Sequence, residues 1–314
     1  MTRAPRPASI PPRGGLSASA VALPGGGPWT SVLDFLAWRL PTLGRDTWAA
    51  RMSAGEVLDE AGVPLPPGAA FRPNARLWYY RFVEQEPPVA EAETVLFRDD
   101  WLVVADKPHF MPVVPGGRYV RNSLLVRLRE RLDLPELSPL HRIDRETAGL
   151  VAFAVQPHTR AAYQALFRDR AVHKSYEAVA GWRDDLALPH LQRSRLEPVD
   201  GFFTMREVAG SPNSETRVEL LERQGGLARY RLLPLTGKRH QLRAHMQALG
   251  LPLVGDRFYP RVLPADEPDD TQRPLQLLAQ ALAFDDPLTG THRRFESQRR
   301  LLPLWALAGS AISP

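Results

Sequence analysis

The chain of 314 residues contains no cysteine. That excludes disulfides, thiolate metal sites and thiol nucleophiles, and it fits a reducing cytosol. Lysine is nearly absent: Lys107, Lys174 and Lys238 are the only three, so arginine carries almost all the positive side of a net charge of +5. Arginine grips phosphate through a planar fork, which makes nucleic acid a reasonable partner, although genomic base composition produces the same arginine, alanine and proline bias. No apolar run approaches the ~20 residues that span a bilayer, so no membrane partner is expected. Residues 1–28 have no acidic side chain and are broken by proline and glycine. They lack the apolar centre of a secretory signal and read as a disordered basic tail, with an organellar transit peptide as the second reading.

From Trp29 the pattern changes. "SVLDFLAWRLP" puts Val32, Phe35, Leu36 and Leu40 at helical spacing, and "RDTWAARMSAGEVL" repeats the pattern before short extended pieces follow. Residues 29–83 thus read as a small helix–helix–strand domain. It resembles an S4-type RNA-binding module, with Arg39, Arg45 and Arg51 as the basic candidates and without the usual "VNG" turn; a structural cap on the following domain is the alternative. The acidic, proline-bearing "EQEPPVAEAE", residues 84–93, reads as a linker.

Residues 94–314 read as a single α+β domain. "TVLFRDDWLVVADKP" predicts two strands around an Asp-Asp turn, and "NSLLVRLRERL" an amphipathic helix capped by Asn122 or Ser123. "GLVAFAV", apolar on both faces from Leu150, predicts a central strand. A helix over "TRAAYQALFRDR", strands over "KSYEAVAG" and "ARYRLLPL", and a helix within "GKRHQLRAHMQALG" complete the pattern. Residues 184–198 and 261–274 read as insertions or surface loops.

Three clusters can carry chemistry. The first is "SPLHRIDRETAGL", where His141, Arg142, Asp144 and Arg145 crowd before the central strand. Asp144 is then held at the end of a rigid element; a turn cap is the plain alternative. In the second, "TGKRHQLRAHMQALG", Leu242, Met246 and Leu249 form an apolar stripe while Arg239 and Arg243 share another face. Arg243 can hold a carboxylate ionised and oriented. His240 and His245 lack acids at ligand spacing, so no metal site is expected. The third is "VHKSYEAV", in which Tyr176 is either a phenol that stacks on a base or a core residue.

These clusters carry a resemblance. "HRIDRETAGLVAFA", "VHKSYEAVAG" and "TGKRHQLRAHMQALGLPLVGDRFY", together with "LVVADKP", resemble the motifs of the RluA family of pseudouridine synthases, in the family's order. The resemblance implies a mixed, mostly antiparallel central sheet with flanking helices. It also implies an isomerase that detaches uracil from ribose at N1 and rejoins it through C5, in ribosomal or transfer RNA, without a cofactor. Carried over by position, the catalytic aspartate falls on Asp144, acting as nucleophile or as base at the 2′ carbon, the active-site tyrosine on Tyr176 and the basic partner on Arg243. His141, Arg142, Arg145, Lys174, Lys238 and Arg239 become candidates for RNA contact. Ile143 and Ala148 stand where leucine and serine are more usual, and Leu278 where histidine is common. A cytoplasmic monomer is expected. The rival readings are a catalytically inactive RNA-binding or RNA-folding factor of the same fold, and a metal-dependent hydrolase using Asp144, Asp256 and histidines.

Overall fold

The computed structural model describes residues 7, 10–264 and 267–307. It divides into two compact units: residues 1–86, 116–121 and 126–135 form one, and residues 87–115, 122–125 and 136–314 the other.

The first unit contains β1 (Ser19–Ala22), α1 (Val32–Arg39), α2 (Arg45–Ser53), β2 (Val57–Leu58) and β3 (Arg76–Tyr79), its strands forming an antiparallel sheet in the order β1-β3-β2. Ser31 starts α1 through a capping box: its hydroxyl accepts from the Asp34 amide at 3.1 Å while the Asp34 carboxylate accepts from the Ser31 amide at 3.1 Å. Val32, Phe35 and Leu36 then pack on Trp48, Met52, Val57 and Leu77.

Two expectations change here. Residues 10–28 are not a disordered tail: Ser19–Ala22 pairs with Arg76–Tyr79, and Ile10 and Leu16 are buried. Proline and glycine stop a helix but leave extended pairing open, and the partner strand lies more than fifty residues downstream, beyond any local signal. Residues 1–6, 8 and 9 of that tail lie outside the described residues. Arg51 is buried, donates to the Tyr80 carbonyl and pairs with Glu56 at 3.0 Å, so it presents no charge to a ligand.

The second unit is built on an eleven-stranded sheet. Its elements in chain order are β4 (Thr94–Arg98), β5 (Leu102–Lys107), α3 (Leu124–Leu132, shared with the first unit), β6 (Ser138–Pro139), β7 (Ala148–Ala154), α4 (Arg160–Arg168), β8 (His173–Gly181), β9 (His190–Pro198), β10 (Met205–Val208), β11 (Ser214–Gln224), β12 (Leu227–Pro234), α5 (Gln241–Ala248), β13 (Leu277–Asp285), β14 (His292–Glu296) and α6 (Leu304–Leu307). The strand order is β10-β9-β11-β12-β8-β13-β7-β5-β4, with β6 on β7 and β14 on β13. Every pairing is antiparallel except β7 with β13, which makes the sheet mixed and mostly antiparallel.

All seven residues of β7 are buried, and the strand lies between β5 and β13 as its two-faced apolar pattern requires. Leu242 and Met246 of α5 pack on Ala178, Ala228 and Leu232 of β8 and β12, while Tyr163 of α4 packs with Leu150, Ala152 and Phe284 of β7 and β13.

Two further readings are corrected. Residues 190–198 are not a loop but β9, paired with β10 and β11. The helix of the basic motif begins at Gln241, after His240 in the left-handed region at φ 51°, so Arg239 precedes the helix and shares no face with Arg243: Arg239 is exposed and Arg243 buried. Among the described residues no helix is long and apolar enough to cross a membrane.

Candidate active site

The polar cluster before β7 is a loop anchored at both ends. At its start the Leu140 amide donates to the Ala152 carbonyl at 2.9 Å, and the Ala152 amide donates to His141 Nε2 at 3.1 Å. His141 therefore accepts through Nε2 as a neutral ring; it stacks on Phe167 at 4.7 Å, and burial lowers its pKa to about 3. At the other end Gly149 takes φ +111°, and a Cβ there would stand 2.3 Å from the Ala279 carbonyl oxygen. Only glycine lets β7 approach β13 at this register.

Buried groups fix the loop between these ends. Lys107, fully enclosed, donates from Nζ to the carbonyls of Pro108 at 2.9 Å and Arg145 at 3.1 Å. Burial drops its pKa to about 7, against the opposing pull of Glu146 and Asp144. His109 Nδ1 donates to the Glu146 carbonyl at 2.6 Å. The Thr147 amide closes the turn on the Asp144 carbonyl at 3.2 Å, leaving the Asp144 side chain for another partner.

That partner is Arg243. Its guanidinium donates through Nη1 to Asp144 Oδ2 at 3.2 Å, and through Nε and Nη2 to Asp256 at 2.9 and 2.6 Å. Glu146 stands 3.6 Å from Nη1. The Arg243 and Asp256 side chains have no exposed surface, whereas that of Asp144 keeps 24% of its own. Burial alone would weaken the charge on Arg243, but Asp256, Asp144 and Glu146 outweigh it and push its pKa further up. The rings of Phe258 and Tyr259 lie 4.8 and 5.6 Å from the guanidinium carbon. The arrangement presents one partly open carboxylate paired with a cation that is itself locked from behind.

Asp144 faces a cavity of about 740 Å³ that Tyr176, Leu277 and His240 also line. Burial raises the Tyr176 pKa and the nearby Asp144 charge raises it further, so the phenol stays protonated. His240 Nε2 stands 3.9 Å from Asp144 Oδ1, beyond hydrogen-bond reach, and its Nδ1 lies 3.3 Å from the Tyr259 hydroxyl. Burial lowers the His240 pKa despite the pull of Asp144.

The nine residues that the family resemblance marks as catalytic or RNA-contacting all line this one cavity, but not all are poised alike. Arg142, Lys238 and Arg239 are exposed, and Arg142 makes no hydrogen bond or ion pair among the described residues. Lys174 is half-buried and donates to the Thr236 carbonyl at 3.3 Å. Arg145 is differently employed: Asp269 takes its guanidinium in two bonds of 2.6 and 2.8 Å, and Glu146 accepts from its Nε at 3.0 Å. Asp269 also pairs with Arg257 at 2.8 Å, so the stretch read as a surface loop at 261–274 buttresses the site. His141, being neutral and bonded to backbone, supports the loop rather than offering charge.

The sequence reading overlooked Arg168 and Arg170 on the cavity wall, and Glu146 and Asp256 as partners of Arg243. A signal existed for the carboxylates. An arginine one turn from Met246 on a packed helix must be enclosed, and an enclosed arginine needs acids from the nearest polar motifs.

The chain is similar to known proteins. Residues 101–248 match the family model described as RNA pseudouridylate synthase. The dual-specificity RNA pseudouridine synthase RluA of Haemophilus influenzae is 31% identical over 232 residues, covering 69% of this chain and 97% of its own. An uncharacterised RNA pseudouridine synthase of Synechocystis is 30% identical over 234 residues, covering 73% and 79%. Among solved structures, human RNA pseudouridylate synthase domain containing 1 superimposes with a TM-score of 0.54 at 22% identity, covering 73% of this chain and 99% of that one, and so shares the fold.

Proposed function

The chain belongs to the RluA family of RNA pseudouridine synthases, isomerases that convert uridine to pseudouridine in RNA, and from that premise we propose that Asp144, Arg243 and Tyr176 carry out the conversion on a uridine turned out of structured ribosomal or transfer RNA, without a cofactor. The observation that carries the assignment is the pairing of a partly exposed Asp144 with a fully enclosed Arg243 at 3.2 Å on the wall of a cavity about 740 Å³ in volume.

Such a cavity is large enough for a base and its ribose but not for a stacked helix, so the target nucleotide must leave its stack. Asp144, as carboxylate, attacks C1′ or takes a proton from C2′; either step breaks the C1′–N1 bond and leaves the electron pair on uracil. The base turns, C5 bonds to C1′, the carboxylate or the C2′ proton is returned to its starting place, and C5 loses a proton while N1 gains one. Atoms balance, which is why no co-reactant is needed. Arg243 pairs with the Asp144 carboxylate before it attacks or takes the proton and again once it is released, and the enclosed Asp256 keeps Arg243 from turning toward substrate phosphates. The neutral Tyr176 phenol suits stacking on uracil or donating to it; as a phenolate base it would be disfavoured at neutral pH. Arg142, Arg170, Lys174, Lys238 and Arg239 take the neighbouring phosphates. We assign the second compact unit as catalytic, in place of the whole of residues 94–314, and the first unit, which takes in residues 29–83, as an RNA-binding or capping module.

The test is pseudouridine mapping, by carbodiimide primer extension, of RNA from cells lacking the protein and complemented with wild type or Asp144→Asn. One or a few sites should vanish on deletion and return only with the wild type, while the variant still binds the RNA. Sites restored by Asp144→Asn would remove the aspartate from the chemistry, and no change on deletion would favour a non-catalytic RNA-binding role.

A further inference from the structure

The hairpin between β9 and β10 exposes two adjacent aromatic rings. Phe202 is 58% and Phe203 44% exposed, and the turn that carries them is closed by the Val199 amide on the Thr204 carbonyl and the Phe202 amide on the Val199 carbonyl, each at 3.0 Å. Folding gains nothing from leaving such rings in water. Their surroundings give them a use. Phe203 meets Phe258 edge-on at 4.6 Å and lies 6.2 Å from His240; Phe258 stacks parallel to His240 at 5.8 Å and sits under Arg243 at 4.8 Å. A run of rings therefore leads from the wall beside Asp144 to Phe203, with Phe202 the next residue along the turn. Exposed Arg239 stands at the same junction, its Nη2 3.8 Å from Met205 Sδ, and also lines the cavity.

We propose that Phe202 and Phe203 form a stacking platform for the unpaired bases next to the target uridine, a reading that rests on the proposed function above. A base whose neighbour has been turned out loses a stacking partner, and an aromatic ring can replace that partner whatever the base, because every base has a π-face. The cations on the cavity wall draw the adjoining phosphates to this side of the molecule. Asp200, exposed in the same turn, repels phosphate, so the tip receives base faces rather than backbone. Two side chains offer far less than the ~1,200 Å² that a stable protein interface buries, which disfavours a second copy of the chain as the occupant.

The experiment uses the full chain and an RNA stem–loop with a uridine-rich loop carrying 2-aminopurine beside a uridine. Wild type should quench the probe. Phe202→Ala should weaken binding by roughly 5- to 150-fold, the range for losing one stacked base, and reduce the quench; Phe202→Trp should restore both. Phe203→Leu keeps an apolar contact with Phe258 while removing the ring, so its effect on the quench separates stacking from packing. Unchanged affinity and quench in Phe202→Ala and in the double variant would overturn the platform. So would a wild-type dimer that Phe202→Ala dissociates without changing the quench. If the wild type quenches the probe but forms no pseudouridine in any RNA, the enzymatic reading fails while the stacking reading stands.

Discussion

Arg243 holds a charge where water cannot reach it, and three carboxylates surround it. Asp256 contributes two of its hydrogen bonds, at 2.9 and 2.6 Å, yet does not line the cavity. Asp256→Asn should therefore act from behind. We expect a loss of about 3–5 kcal/mol in denaturant unfolding, the usual cost of breaking a buried pair from one side. Turnover should fall together with stability while RNA affinity is kept; equal loss of affinity would mean that Asp256 faces the RNA after all. Arg243→Lys should also lose turnover, since a single ammonium cannot hold Asp144 and Asp256 in one plane. At this scale much of the site was legible. Asp144, Tyr176 and Arg243 were chosen from the sequence and do line one cavity. The bonding around them was not legible: Asp256 read only as an acid for a hypothetical metal, and Arg145 as an RNA contact, because the pairing of Arg145 with Asp269 spans 124 positions.

At the scale of the element, the parallel contact between β7 and β13 sets where the Asp144 loop ends, and it depends on Gly149. Gly149→Ala would drive a Cβ to 2.3 Å from the Ala279 carbonyl in a left-handed backbone conformation. The strands must part, so unfolding stability should drop by more than about 1 kcal/mol. Initial rates should fall as well, because Asp144 lies five residues upstream; denaturant melts and rate measurements on the same preparation check both. An alanine variant as stable and active as the wild type would show that the loop tolerates separation. Elements with strong periodicity were legible: the two-faced apolar β7, the hairpin β4–β5 around its Asp-Asp turn, and the helices α3, α4 and α5. The strands β1 and β9 were not. "SAVA" sits among prolines and glycines, and "HLQRSRLEP" is too polar to advertise a strand, its order coming from neighbours on both sides.

Across the whole molecule the histidines set the response to acid. Burial lowers His141 to about 3 and His109 and His245 to about 4, and it lowers His240 as well. In the unfolded chain each takes a proton near pH 6.5, while in the folded chain His109, His141 and His245 remain neutral down to about pH 4 and His240 titrates below its ordinary value. Their stabilising contribution is thus complete above pH 6.5 and is lost as pH falls toward 4, by up to about 1.4 kcal/mol per pH unit for each histidine. Chemical denaturation followed from pH 7 to 4.5 should show this decline, and His141→Asn should shallow it at the expense of some stability at pH 7. A flat profile would mean that the rings are hydrated and titrate normally. Above neutrality Lys107 continues the same trend, because its folded pKa also lies below the unfolded one. Its ammonium is charged in both states below about pH 7, and its cost fades as pH rises toward 10.5.

Depth of burial has an evolutionary consequence. The groups proposed for bond making rest on side chains that touch no solvent, Arg243 and Asp256 among them, whereas the arginines and phenylalanines proposed to meet RNA stand in water. Mutation can therefore sample the outer layer without disturbing the inner one. A chain organised in this way can exchange one RNA for another by drift at its surface while inheriting the same reaction unchanged.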